Sequence, residues 1–161
     1  MVKILVIYYS LEGNTQLIAE NIAKTVNADV LRLVPEKDIK STGGRRFFWG
    51  GKQVVMKEKP VLKPFDKNPL EYDLLFIGTP VWAWSFTPAL RSFFSEVKLQ
   101  GKKIAIFCTH SGGMRKTLAN IKNKLAGNEI LGEIDFIDPL KNPATHVSKA
   151  MEWARNLITL I

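Results

Sequence analysis

The chain has 161 residues, of which 46% are apolar and 10% aromatic, and it carries a formal net charge of +8. This length and apolar content predict a single packed domain over residues 1–161 and exclude disorder as its main state. The single cysteine excludes an internal disulfide, and no apolar stretch approaches the roughly 20 residues that span a bilayer. We therefore expect a cytoplasmic protein with no membrane span.

Five apolar runs alternate along the chain with segments of helical period. The predicted strands are Ile4–Tyr8, Val30–Val34, Leu74–Gly78, Ile104–Cys108 and a weaker Ile130–Ile137. The predicted helices are Asn14–Val26, Pro88–Val97, Gly113–Leu125 and Ala144–Leu160, and the first should pack on the sheet through Leu17, Ile18 and Ile22. Strands that alternate with helices predict an α/β fold with a parallel sheet. Near-continuous apolar strands indicate burial on both faces, so we expect a three-layer, doubly wound, five-stranded sheet.

The stretch between Pro35 and Asp73 is too long for a structureless loop in a compact domain. We predict a helix over Arg45–Lys57 within it, interrupted at Gly50 and Gly51. This segment could fold over a ligand or pair with a second subunit, so an oligomer is possible.

Positive charge is concentrated in two segments. Residues 36–67 carry nine basic and four acidic side chains, and residues 97–128 carry seven basic and none acidic. Such a surface attracts nucleic acid, acidic proteins or anionic membranes, although a solvated lysine-rich face is an equally good explanation. No recognisable nucleic-acid-binding module accompanies the charge, so we expect no specific nucleic-acid partner.

The end of the first predicted strand runs directly into a helix. Small and polar residues at such a junction expose backbone N–H groups at the positive end of the helix dipole, which suits a phosphate. The loop lacks the Gly-Lys-Ser/Thr ending of a Walker loop, and an ordinary N-capped turn is the alternative. The residues concerned are Ser10, Leu11, Glu12, Gly13, Asn14 and Thr15.

Two further loops follow the third and fourth predicted strands. The third strand ends in Thr79, Pro80, Val81, Trp82, Ala83 and Trp84, and exposed tryptophans at this position suit a flat aromatic ligand. Packing of these rings into the core is the alternative. The fourth strand ends in Thr109, His110, Ser111, Gly112 and Gly113, a turn that brings backbone groups close to a ligand. Three loops at one sheet edge predict a flat, phosphorylated ligand at the topological switch point.

Catalytic side chains are not predicted. Ser111 and His110 lack the G-x-S-x-G context of a nucleophile elbow, so we expect no catalytic triad. Cys108 lies within an apolar strand and is expected to be a buried hydrophobic side chain rather than a reactive thiol.

The three loops together resemble the FMN-binding loops of the flavodoxin family, in matching order and spacing. The resemblance rests on Ser10-x-x-Gly13-Asn14-Thr15, Gly78-Thr79-Pro80-Val81-Trp82 and Thr109-x-Ser111-Gly112-Gly113. It implies strand order 2-1-3-4-5 and one non-covalent FMN. The phosphate would then be held by Ser10, Gly13, Asn14 and Thr15. The flavin would be lined by Thr79–Ala83, with Trp82 as the stacking ring, and Thr109, Ser111, Gly112 and Gly113 would close the other side.

The resemblance implies an electron-transfer flavoprotein that docks with redox partner proteins. The basic segments of this chain favour partners with acidic docking surfaces. The alternative is an NAD(P)H-dependent FMN oxidoreductase that acts on quinone-type or other small acceptors. A receiver-type signalling domain is excluded because the chain has Tyr8-Tyr9-Ser10 and Gly78-Thr79 where acidic residues would be needed. The chain departs from typical electron-carrying flavodoxins, which are acidic. We expect its reduced flavin to be less destabilised, and its potential less negative, than in an acidic relative.

Overall fold

A parallel five-stranded sheet forms the centre of the molecule. The computed structural model describes residues 1–39 and 58–161. The strands are β1 (Ile4–Tyr8), β2 (Asp29–Arg32), β3 (Leu74–Pro80), β4 (Lys103–His110) and β5 (Glu129–Ile137). Their order is β2-β1-β3-β4-β5 and every neighbouring pair is parallel. The predicted α/β class and the predicted strand order 2-1-3-4-5 are confirmed.

Four helices of the described residues cover the two faces of the sheet. They are α1 (Asn14–Val26), α2 (Pro88–Glu96), α3 (Thr117–Lys124) and α4 (Pro143–Ile158). One apolar core joins one face of the sheet to α2 and α3, and a second core joins the other face to α1 and α4. The side chains of β3 from Leu74 to Ile77 are fully buried between these two cores. This two-sided burial explains the continuous apolar runs of the sequence, and the predicted three layers are confirmed.

The strand order places a crevice beside β1. The chain passes from β1 outward to β2 and then crosses to β3 on the other side of β1. The connections after β1 and β3 therefore diverge to opposite sides of the sheet, which is the point where open α/β sheets leave room for a ligand. The loops after β1, β3 and β4 all emerge at this carboxyl edge.

Two sequence predictions are wrong in detail. The helix predicted from Gly113 begins at Thr117, because Gly113 and Arg115 have φ values of 117° and 48°, which are incompatible with a helix. Leu17 is only half-buried, whereas Ile18 and Ile22 have no exposed surface. Ala19 and Ala23 of α1 are buried instead, which lets the helix backbone lie close to the sheet.

The predicted helix over Arg45–Lys57 lies outside the described residues. Within residues 1–39 and 58–161, no helix combines the length and the apolarity that crossing a bilayer requires.

Candidate functional site

The three loops predicted from the sequence line one cleft at the carboxyl edge of the sheet. The cleft has a volume of about 310 Å³. Its lining residues are Ser10, Leu11, Glu12, Asn14, Thr15, Pro80, Val81, Trp82, Ala83, Trp84, Thr109, His110, Ser111, Gly112 and Gly113. All of them belong to the predicted set. Gly13 and Thr79 belong to that set too but do not line the cleft. Thr79 is buried, and its Oγ1 donates to the Pro80 carbonyl and accepts the N–H of Thr87.

The first loop presents the amino terminus of α1 to the cleft. Gly13 precedes the helix with φ of 105°, a conformation that a side chain would strain, and its N–H donates to Ser10 Oγ at 3.2 Å. Leu17 N–H is bonded to the Gly13 carbonyl, so the amides of Asn14, Thr15 and Gln16 precede the first helical bond. No acidic residue lies in the first turn of α1, and Glu12 is exposed at the rim. The loop therefore has donors and partial positive charge for an anion.

Arg32 supports this loop from the neighbouring strand. Its guanidinium donates to the Ser10 carbonyl at 3.0 Å and to Gln16 Oε1 at 3.1 Å. Arg32 is paired with Tyr8 in the parallel register of β1 and β2, which brings it beside the end of β1. Sequence reasoning missed this residue because it considered basic side chains only within the loop. The signal available was a cation at the carboxyl end of a strand adjacent to β1.

The second loop contains a strained two-residue hairpin. Trp82 and Ser85 exchange backbone hydrogen bonds of 2.9 and 3.0 Å. The two residues between them, Ala83 and Trp84, have φ values of 45° and 63°. Hairpins of this kind favour glycine or asparagine, and each non-glycine residue in this region costs about 1 kcal/mol or more. Trp84 lies at the edge of the cleft with 69% of its surface exposed.

Trp82 is half-buried and forms one wall of the cleft. Its ring meets that of Tyr9 edge-on, with ring centroids 5.5 Å apart. Tyr9 is itself almost fully buried and donates its hydroxyl hydrogen to Asp38 at 2.8 Å. Burial and the neighbouring carboxylate raise the pKa of Tyr9 well above its usual range, so it stays neutral. The Tyr9 ring thus gives Trp82 a fixed apolar support.

The third loop is tied to the first by a hydroxyl pair and to β5 by a histidine. Thr109 Oγ1 lies 2.8 Å from Thr15 Oγ1 in a buried contact. His110 Nδ1 accepts the N–H of Gly113 at 2.9 Å, so its proton is on Nε2, which donates to Asp135 at 2.8 Å. A Cβ on Gly112 would meet no atom within 4 Å, which leaves its backbone facing open space. The turn is therefore held rigidly while it remains accessible.

The polar side chains of the third loop are used to hold its shape. Ser111 Oγ donates to Asp138, and Asp138 N–H donates to the His110 carbonyl at 2.8 Å. Burial raises the pKa of the Cys108 thiol to about 12, so it stays a protonated, unreactive thiol in the core. The prediction of a buried, structural cysteine is confirmed, and no nucleophile–base pair is assembled among the lining residues.

The fold and the cleft together define an open, doubly wound α/β protein with a cleft at its topological switch point. The family model described as flavodoxin matches residues 3–134, and the chain belongs to the flavodoxin family.

Several solved structures have a similar fold. A flavoprotein from Lactobacillus acidophilus, solved in complex with FMN, is 22% identical and has a TM-score of 0.72, with 88% of this chain and 97% of that chain covered. A flavoprotein from Bacteroides eggerthii is 22% identical with a TM-score of 0.79, covering 98% and 99% of the two chains. A flavodoxin from Streptococcus pneumoniae is 15% identical with a TM-score of 0.64, covering 99% and 100%.

Proposed function

We propose that the chain binds one FMN non-covalently in the carboxyl-edge cleft and carries electrons between redox partner proteins. The observation that carries the proposal is the convergence of all three predicted loops on one cleft of about 310 Å³. Membership of the flavodoxin family and the FMN bound by the Lactobacillus acidophilus flavoprotein support the choice of ligand.

The phosphate would be held by the loop before α1. A dianion is stabilised by backbone N–H groups and by the positive end of a helix, and this loop offers both. The amides of Asn14 and Thr15 and the hydroxyl of Ser10 are the donors we assign to it. The absence of acidic residues from the first turn of α1 favours the same assignment.

The flavin ring would lie between the second and third loops. Trp82 and Trp84 line the cleft on one side, and the Gly112 backbone faces open space on the other. Aromatic side chains stack favourably on flat conjugated rings. The bound flavin supplies the redox chemistry, accepting and passing electrons one or two at a time. The protein's part is to orient the ring, tune its surroundings and leave one edge open, for which Trp84 at 69% exposure marks the rim.

FMN titration of the purified apoprotein tests cofactor binding. We expect a one-to-one complex with quenched flavin fluorescence, because Trp82 and Trp84 would lie beside the ring. Replacing Thr15 by valine removes the buried Thr15–Thr109 contact that joins two of the loops. Loss of a buried hydrogen bond costs about 1 kcal/mol, which corresponds to roughly fivefold weaker binding.

Thr25→Val is the matched control. Thr25 lies at the far end of the same helix and donates to the Asn21 carbonyl at 2.7 Å. It should lower stability without changing FMN affinity. A protein that remains colourless and gives no heat with FMN would overturn the proposal.

The carrier and the NAD(P)H-dependent oxidoreductase differ in their response to nicotinamide nucleotides. We expect the flavin absorbance to be indifferent to NADH and NADPH alone, and to bleach when a reduced redox protein is added. The net charge of +8 favours a partner with an acidic docking surface, so this transfer should slow as salt is raised. Rapid bleaching of the flavin absorbance by either nucleotide alone would instead support the NAD(P)H-dependent oxidoreductase.

A further inference from the structure

A second cavity, of about 370 Å³, lies away from the FMN cleft. It is formed where α2 and α3 end, together with the chain before β4, and thus lies toward the amino edge of the sheet. It shares no lining residue with the cleft at the carboxyl edge. A ligand here would therefore not meet the cofactor, and the electron-carrier proposal leaves the cavity without a role.

Four cationic side chains line this cavity, which we call the basic cavity. They are Lys59, Arg91, Lys98 and Lys124, and none of the described residues lining it is acidic. Within residues 1–39 and 58–161, none of the four forms an ion pair. Cations that share a cavity without an intervening carboxylate repel one another, and a bound anion would remove this repulsion.

Helix dipoles explain the positions of only two of these four cations. Lys98 and Lys124 lie at the carboxyl ends of α2 and α3, where cations are favoured, and Lys98 Nζ donates to the Phe94 carbonyl at 3.2 Å. Lys59 lies on no helix, and Arg91 lies in the first half of α2. These two cations need another explanation.

The guanidinium of Arg91 does not have a hydrogen-bond acceptor for each of its donors among the described residues. Its guanidinium lies over the ring of Phe86 at 5.4 Å, and its Nε is buried with no hydrogen-bond acceptor among the described residues. Loss of solvent lowers the pKa of this guanidinium from its ordinary value. Buried donors without acceptors are rare in folded proteins and often point to a missing ion or water. An anion in the cavity would compensate the charge of Arg91 and supply acceptors to its guanidinium.

We propose that the basic cavity binds a small molecule that carries two or more linked phosphate groups. One phosphate carries about two negative charges at most, whereas a diphosphate brings about two to three and more acceptor oxygens, so it offsets more of the charge of the four cations. The volume of the cavity is within the usual range of small-molecule sites, and the partly buried side chain of Val97 gives it an apolar wall.

Calorimetry of the FMN-loaded protein tests the proposal, because bound FMN keeps the phosphate loop of the cleft filled. Inorganic pyrophosphate and adenosine diphosphate are titrated separately at low ionic strength. We expect one-site binding that weakens as salt rises. Equal affinities would mean that the diphosphate alone is recognised, and tighter binding of the nucleotide would mean that the cavity also accepts an organic body. Either result supports the proposal.

Charge-neutralising variants locate the site. The double substitution Lys98→Gln with Lys124→Gln removes two of the four cations and should weaken pyrophosphate binding about tenfold, which corresponds to about 1.4 kcal/mol of binding free energy. Arg91→Gln should do the same without changing FMN affinity. The matched control is Lys24→Gln with Lys63→Gln, two exposed lysines outside the cavity.

Two outcomes would overturn the proposal. One is the absence of pyrophosphate and adenosine diphosphate binding at low salt. The other is an equal loss of pyrophosphate affinity in the control pair, which would show that net charge alone causes the effect. The test is independent of the cofactor: if the protein failed to bind FMN, the comparison between cavity and control variants would still stand.

Discussion

The ring of Phe107 occupies the place where a side chain on Gly78 would lie. The two residues are partners in the parallel register of β3 and β4. A Cβ built on Gly78 would come within 2.1 Å of Phe107 Cζ, far inside van der Waals contact. Phe107 is fully buried and also meets Trp153 of α4 edge-on, at 6.5 Å between ring centroids. Gly78, which the sequence offered as part of a ligand loop, is therefore a packing residue.

This contact predicts that Gly78→Ala lowers the free energy of unfolding by about 1–3 kcal/mol, since overpacking a filled core forces side chains off their rotamers. Phe107→Leu removes the ring, so the double variant should lose less stability than the two single variants together. Urea unfolding of the apoprotein measures both. The control is Gly112→Ala, where a Cβ meets nothing within 4 Å and stability should stay the same. Additive losses at Gly78 and Phe107 would contradict the argument.

We expect His110 and Asp135 to affect FMN affinity although neither takes part in electron transfer. The pair fixes the imidazole so that Nδ1 accepts from Gly113 N–H, and this contact shapes the third loop. Asp135→Leu should weaken FMN binding about fivefold, because losing the acceptor costs about 1 kcal/mol. Asp135→Asn keeps an acceptor oxygen and should restore most of the affinity. Fluorescence titration with FMN measures each variant.

The control for this prediction lies at the opposite edge of the sheet. Asp73 Oδ2 accepts the N–H of Lys3 at 2.7 Å, far from the third loop. Asp73→Leu should lower stability and leave FMN affinity unchanged. Equal effects of the two leucine substitutions on FMN affinity would show that His110 and Asp135 act only through general stability.

Much of the fold could be predicted, because apolar runs buried on both faces mark the strands and a helical period marks the helices. Both β1 and α1 begin and end where the sequence predicts. The start of α3 was misplaced because helical propensity continues through the residues after Gly113. The positive φ of Arg115 is set by the tertiary position of the turn. The hairpin at Ala83 and Trp84 could not be predicted from the sequence either, because neither residue favours the positive φ that it adopts.

The site was predictable to the extent that it is made of consecutive residues. Parallel strands bring their carboxyl ends to one edge, so each loop could be assigned from local sequence alone. Arg32, Tyr9 and Asp38 act across strands and loops, and their contacts depend on register and on distant segments. The basic cavity is a stronger example, because Arg91 and Lys124 line it together only when α2 and α3 are placed on the same face of the sheet.

Tyr72 should couple stability to alkaline pH. Its hydroxyl donates to Asp29 at 2.7 Å, and loss of solvent together with this hydrogen bond raises its pKa to about 12. The folded protein thus keeps a proton that the unfolded chain releases near pH 10. Between about pH 10 and about pH 12, unfolding therefore releases up to one proton per molecule. The free energy of unfolding falls as the pH rises through this range. The contribution of Tyr72 is fully present below pH 10.

Tyr72→Phe removes both the hydrogen bond and the titration. We expect it to be about 1 kcal/mol less stable than the parent near neutral pH, with a gap that narrows above pH 10. Urea unfolding at several pH values measures the gap. The pKa values of Tyr8 and Tyr9 are also raised, so the parent-minus-variant difference is the informative quantity. A gap that stays constant up to pH 12 would contradict the assignment.

Cations beside the cleft should make the flavin easier to reduce. Arg115 and Lys116 lie two and three residues after Gly113 at the end of the third loop and are exposed. Reduction adds negative charge to the flavin ring. Arg115→Gln with Lys116→Gln should therefore make the reduction potential of bound FMN more negative, by on the order of 10 mV per charge for exposed groups in water. The pair Lys24→Gln with Lys63→Gln makes the same change in net charge at two exposed lysines that do not line the cleft. Spectroelectrochemical titration at low salt compares the two pairs, and equal shifts would mean that overall charge, rather than position beside the cleft, sets the potential.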